Sequence, residues 1–216
     1  MIRLDLLPKI LYRPREAFEE LRGDANGKDG LLLYVSIAIL SLMMAIGVSQ
    51  ATKISLMPLD FGFGAVLTAG TASAVFFVEI VHFGLLAAFS NFFALKMGGD
   101  GNFSNMLGMF GYARVLFLIK AIVSALIVAW IYTAGIFAAT RAIQGNLAPP
   151  NLFLIGAVVL LANLVLGIWS IGLYIAATSK AHNISLAKSF VSVIISAVVL
   201  GFMVYGLALL LVRGAA

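Results

Sequence analysis

Five uninterrupted apolar runs, each long enough to cross a bilayer as a helix, constrain this chain more than any other feature. They lie near Gly30 to Ser49, Gly64 to Leu95, Leu116 to Ala139, Leu152 to Thr178 and Ser189 to Val212. A hydrocarbon core about 30 Å thick takes roughly 20 helical residues, and backbone groups in lipid must be paired within the protein. The runs are continuous rather than alternating apolar with polar, which argues against a closed barrel of strands. The predicted fold is an all-α polytopic membrane helix bundle with five transmembrane helices. The second run exceeds one crossing, so it is expected to tilt or to extend into the headgroup layer. Composition agrees, because 62% hydrophobic and 11% charged residues cannot cover a water-soluble surface.

The breaks between runs carry loop chemistry: Met57-Pro58-Leu59-Asp60, Gly98-Gly99-Asp100-Gly101-Asn102, Pro149-Pro150-Asn151 and Ser179-Lys180-Ala181-His182-Asn183. They leave no room for a second folded domain. The expected division is a cytoplasmic amphipathic segment over 1–29 and a five-helix transmembrane domain over 30–216. The first run is read as a retained helix and not as a signal peptide, since it begins near Gly30 and is long enough to span.

Basic residues orient the bundle. Arg3, Lys9, Arg13, Arg15, Arg22, Lys28, Lys96, Arg114, Lys180 and Lys188 fall on one side of the alternating crossings, against Lys53, Arg141 and Arg213 on the other. The richer side is cytoplasmic, which puts the amino terminus inside and the carboxyl terminus outside. Arg114 and Lys120 are expected near the headgroup level. The net charge of +5 includes no dense Lys/Arg tract, so it points to anionic lipid headgroups and not to nucleic acid. Cysteine is absent, which excludes disulfides, iron–sulfur clusters and thiolate metal sites.

Ahead of the first run, Leu7, Leu11, Pro14, Phe18 and Leu21 recur at helical spacing, with Lys9, Arg13, Glu16, Glu20 and Arg22 on other faces. This predicts an amino-terminal amphipathic interfacial helix, lying on lipid or packed on the bundle. Pro14 fits the first turn of a short helix through Arg22, Glu16 suits its positive dipole end, and Arg15 and Glu19 form an i,i+4 pair.

Glu79 is the one acidic residue deep inside a run, and His82 follows three residues later on nearly the same face. An ionisable pair in lipid faces protein or water. Two interpretations stand: a proton or cation relay, or an interhelical hydrogen-bonded pair completed by Asn91, Asn163, Ser90 or Thr68. The Glu-x-x-His spacing also occurs in di-metal bundles. Those need a second such motif, and the other histidine, His182, is assigned to a loop, so no metal is expected. Gly98 to Gly101 lacks the Gly-Lys-Ser/Thr ending of a phosphate loop and reads as a flexible turn. Asn102 or Ser104 can cap the helix that follows, whose apolar face is Phe103, Met106, Leu107 and Phe110. The small residues Gly64, Thr68 and Ala72, and Asn163, Gly167 and Ser170, sit at helix-packing spacing. No serine, histidine and carboxylate combination and no cofactor motif is present, so no enzyme and no cofactor is expected.

Three stretches carry a resemblance: Leu11-Tyr12-Arg13-Pro14-Arg15-Glu16-Ala17-Phe18 before the first run, Gly98-Gly99-Asp100-Gly101-Asn102-Phe103 after the second, and Gly111-Tyr112-Ala113-Arg114 entering the third. The chain resembles the Yip domain family of Ypt/Rab-interacting multi-pass membrane proteins. The Asp-Leu-Tyr-Gly-Pro motif of the eukaryotic trafficking members is absent, and Val115 stands where their Gly-Tyr-x-x-Pro motif has proline. The compact prokaryotic type is the nearer likeness. It implies a non-enzymatic protein of the prokaryotic cytoplasmic membrane that organises membrane or partner proteins through its cytoplasmic face. Pro14, Phe18, Gly99, Gly101, Gly111 and Tyr112 are the family-motif residues on that face. The lipid bilayer is the expected partner, while a membrane-protein or cytoplasmic partner and a homo-oligomer are left open. The alternative is a small ion- or proton-coupled transporter or channel using Glu79 and His82.

Overall fold

Pro14 divides the amino-terminal segment, because its ring disfavours helical geometry at the residue before it. Arg13 accordingly takes φ −137° and ψ 60°. The segment forms a 3-10 turn, Leu4–Leu6, followed by α1 (Leu7–Tyr12) and α2 (Pro14–Leu21), the last opening at Pro14 as the sequence predicts. The computed structural model describes the backbone of residues 2–56, 63–123, 126 and 151–214, and the side chains of 2–41, 43, 78–123, 126, 158 and 160–206. The break moves the enclosed stripe. Ile10, Ala17, Phe18 and Leu21 are fully buried, whereas Leu7 and Leu11 are only half-buried.

The long helices are α3 (Gly27–Leu56), α4 (Phe63–Lys96), α5 (Phe103–Ala113), α6 (115–123), α7 (Asn151–His182) and α8 (Leu186–Gly214). No strand occurs among the described residues. Within them, four stretches are long and apolar enough to cross a membrane: Val78–Lys96, Phe103–Val123, Leu160–His182 and Leu186–Gly206. The second of these, Phe103–Val123, starts well before Leu116 because α5 and α6 follow each other with only Arg114 between them. Apart from Lys188, the exposed side chains of α7 and α8, among them Leu160, Leu161, Leu164, Ile168, Phe202 and Val204, are almost all apolar. Such a surface needs lipid around it.

Local chemistry ends these helices sharply. The Asn26 side chain accepts from Asp29 N at 2.9 Å and donates to the Asp29 carboxylate at 2.9 Å, a reciprocal cap at the start of α3. At the end of α4, Gly98 adopts φ 88°, Gly99 N donates to Ala94 O at 3.0 Å and Gly98 N to Leu95 O at 3.1 Å. That is the Schellman pattern, which glycine adopts without steric cost. Asn183 does the same for α7 at φ 55°, with Ile184 N donating to Ser179 O at 3.1 Å. Asn102 caps α5 by accepting from Asn105 N at 2.8 Å.

The chain forms two compact units. The first contains Met1–Val35, Val78–Val115 and Ser170–Ala216. It gathers the amino-terminal helices, the amino end of α3, the carboxyl ends of α4 and α7, α5 and α8. Apart from the carboxyl end of α8, these are helix ends that the basic residues assign to a single side. The second contains Ser36–Phe77 and Leu116–Trp169, and most of its side chains, with the Gly64, Thr68 and Ala72 row, lie outside the described residues.

Candidate functional site

Glu79, His82 and the six family-motif residues all fall in the first unit. The amino-terminal helices are docked there on both polar and apolar contacts. α1 packs on α2 and α5. Arg3 N donates to the Tyr112 hydroxyl at 2.7 Å, and the Arg3 guanidinium pairs with Asp5 at 2.8 Å and Asp24 at 3.3 Å. Lys180, on the last turn of α7, pairs with Glu19, so Arg15 does not have Glu19 as its i,i+4 partner. Arg22 reaches Asn183 at 3.4 Å and Asp100 at 4.0 Å. Exposed ion pairs contribute only about 0.2–1 kcal/mol each, whereas a fully buried Ile, Phe or Leu contributes about 1.5–3 kcal/mol. The enclosed side chains Ile10, Phe18 and Leu21 therefore hold these helices in place, and the charges set their orientation.

The three motif glycines, Gly99, Gly101 and Gly111, are explained by close contact. A Cβ on Gly111 would stand 2.1 Å from Gly30 O, and one on Gly30 would stand 2.5 Å from Gly108 Cα. The start of α3 thus crosses α5 with backbones touching, and Gly27 N donates to Ser104 Oγ across the same crossing at 2.9 Å. Ser104 is therefore spent on α3, and Asn102 is the cap. Gly99 and Gly101 play the same part against the end of α7: a Cβ on Gly101 would stand 2.1 Å from Ala181 O, and one on Gly99 would stand 2.8 Å from His182 Cβ. Asp100 N donates to His182 O at 3.1 Å. His182 is not in a loop. It is the last residue of α7, fully buried beneath the glycine turn, and neither ring nitrogen has a hydrogen-bond partner.

Of the six motif residues, Phe18, Gly111 and Tyr112 are enclosed, Gly99 and Gly101 are pressed against α7, and Pro14 opens α2. They build the joint between the amino-terminal helices, α3, α5 and α7. The exposed surface around that joint carries Leu4, Tyr12, Arg13, Arg15, Glu16 and Phe103.

Glu79 has a charged partner on another helix. The Arg114 guanidinium, which ends α5, pairs with it, and a second amino group of Arg114 donates to the Tyr174 hydroxyl at 3.3 Å. Arg114 also lies over the Tyr34 ring, 5.2 Å from its centroid, and Tyr34 stacks on Phe83 at 4.0 Å. One guanidinium thereby joins α3, α4, α5 and α7. Its fork geometry allows this, since it can serve a carboxylate and a hydroxyl at once while its face rests on an aromatic ring. Arg114 is accordingly an interior residue, with 13% of its side chain exposed. The sequence places Arg114 on the basic side of the crossings without linking it to Glu79, and Tyr174 and Tyr34 carry no signal of their own. The signal was a lone acid on one run and an arginine entering the next.

Of the neutral partners considered, Ser90 offers its carbonyl to Ser192 Oγ at 2.8 Å, joining α4 to α8. His82 does not bond Glu79; the two line a cleft of about 580 Å³ between α4 and α8, with Leu200, Gly201, Val204 and Tyr205 on the facing helix. Among the described residues no three His, Asp and Glu side chains gather in a metal-binding arrangement.

Apolar helices long enough to span and an arginine–carboxylate pair set among them define an α-helical integral membrane protein. The Yip1 domain family model matches residues 9–208, and the chain belongs to that family. No curated protein and no solved structure gives a significant match.

Proposed function

We propose that this Yip1 family protein is a non-enzymatic organiser of membrane or partner proteins, acting through the face built from α1, α2, α5 and the Gly98–Asn102 turn. Five crossings, with α3 as the first, put that face in the cytoplasm and the carboxyl terminus outside a prokaryotic cytoplasmic membrane. The lysines and arginines gathered on the first unit support this orientation. One observation carries the functional reading: the family-motif residues converge on one joint, Phe18, Gly99, Gly101, Gly111 and Tyr112 locking the amino-terminal helices to three helix ends. Such a joint presents the exposed Tyr12, Arg13 and Arg15 in a defined arrangement, which suits recognition more than chemistry. The amino-terminal helices would lie at the membrane surface with their charged side outward.

A photo-crosslinking residue placed at Tyr12 or Arg15 in intact membranes tests this. Discrete heterologous protein adducts, lost when Phe18→Ala undocks the helices, are expected. Adducts with lipid or with the chain itself alone would overturn the organising role. Ion or proton coupling through Glu79 and His82 draws support from the cleft they line. The engagement of Glu79 by Arg114 favours a structural role, and flux through reconstituted vesicles that vanishes in Glu79→Gln would reverse that preference.

A further inference from the structure

The cleft between α4 and α8 is a site in its own right. Ser192 Oγ meets Ser90 O at 2.8 Å where the two antiparallel helices are in contact. Farther from those ends they part to leave about 580 Å³. That volume lies within the range of small-molecule sites, roughly 300–1,000 Å³, and is too large for a packing defect. Gly201 opens the wall: a Cβ there would meet nothing within 4 Å. Leu200, Val204 and the Tyr205 ring supply apolar lining, and Glu79 and His82 are the polar groups on the opposite helix.

The chemistry of those two groups selects a ligand. Glu79 commits Oε2 to Arg114, which offsets its charge and leaves Oε1 as an acceptor; its side chain remains 37% exposed. A second cation is therefore not required, and an anion would meet the carboxylate. A neutral imidazole offers one donor and one acceptor. A carboxylate acceptor beside an imidazole suits a group that donates and accepts at once, and apolar walls suit hydrocarbon. The geometry points to a site for a neutral lipid with a single free hydroxyl, the hydroxyl donating to Glu79 and accepting from His82 while the chain lies along Leu200 and Val204.

The test uses the full chain in phosphatidylcholine nanodiscs and a diazirine-bearing hexadecanol, with labelled peptides located by mass spectrometry. Labelling of the α4 and α8 segments around His82 and Gly201 is expected, with competition by excess hexadecanol or dioleoylglycerol and none by hexadecane. Whichever of the two alcohols competes better identifies the source of the hydroxyl. His82→Phe keeps bulk and removes the hydrogen bond, and Gly201→Leu fills open space; each is expected to reduce labelling about tenfold, the scale of one lost hydrogen bond or an occluded site, without lowering the melting temperature. Equal labelling by the methyl ether of the probe, or equal competition by hexadecane, would overturn the proposal by making the cleft a passive lipid-facing groove. Undiminished labelling in both folded variants would overturn it as well.

Discussion

Replacing Glu79 by glutamine leaves the shape of the Glu79–Arg114 contact and removes its charge. Breaking a buried ion pair from one side costs about 3–5 kcal/mol, because the remaining charge has lost its partner in a low dielectric. Two features of the site reduce that figure. The Glu79 side chain is 37% exposed against 13% for Arg114, and Arg114 keeps the Tyr174 hydroxyl and the Tyr34 ring. A loss of about 2–3 kcal/mol is expected once that partial exposure is allowed for. At ~2–4 °C per kcal/mol for a chain of this size, the apparent melting temperature should fall by roughly 4–12 °C. The assay is heating in mild detergent followed by fluorescence-detected size exclusion. Arg114→Gln should also destabilise, through the ion pair, the Tyr174 contact and the ring contact together. The decisive quantity is the double variant, which should be more stable than the summed single losses by about 1.5–3 kcal/mol, since each single change leaves one charge behind. Additivity within ~0.5 kcal/mol would refute the pair as the link between α4 and α5.

Gly111→Ala should destabilise by at least the ~1–3 kcal/mol of overpacking, because the new methyl would press on Gly30 backbone and no side chain can move aside; Gly84→Ala, with open space around it, serves as the tolerated control in the same melting assay. The docking of the amino-terminal helices should weaken in acid. The hydrogen bond from Lys180 holds the Glu19 carboxyl below its ordinary value, so the docked state binds fewer protons than the undocked one. Its contribution is complete above about pH 4.3, the free carboxyl value, and is lost as pH falls through the lower docked value. Hydrogen exchange over residues 4–26, corrected for intrinsic rates, should accelerate by at most about fivefold, as befits an exposed pair of ~1 kcal/mol or less. Glu19→Gln should abolish that dependence, and an unchanged acid response in this variant would remove Glu19 as its source.

Much of the fold was legible along the chain because its signals are local. Runs of apolar residues specify spanning helices whatever their neighbours, and four candidate spans appear among the described residues, three largely within the expected runs and the fourth, Phe103–Val123, beginning ahead of its run. Pro14 at the head of α2, the Asn102 cap and the glycine turn after α4 were legible for the same reason. The helix opening at Pro14 was legible too, but the periodic stripe ran through Leu7 and Leu11, where the structure encloses Ile10. The motif residues had been assigned to the cytoplasmic face as a group. Residue spacing could not reveal that most of them face inward, since a glycine is buried by what crosses it.

Glu79 marks the boundary between the two kinds of information. The sequence alone determined that an acid inside an apolar run requires a partner, because lipid will not solvate it. Which partner it has is a matter of three-dimensional placement: Arg114 lies 35 residues away and Tyr174 lies 60 residues beyond Arg114, and helix tilt and rotation bring them together. Helix formation depends on hydrogen bonds four residues apart and is readable from short windows. Charge pairing, backbone contact at Gly30 and Gly111, and the opening between α4 and α8 depend on distances between helices. Those distances were decided only by the tertiary structure.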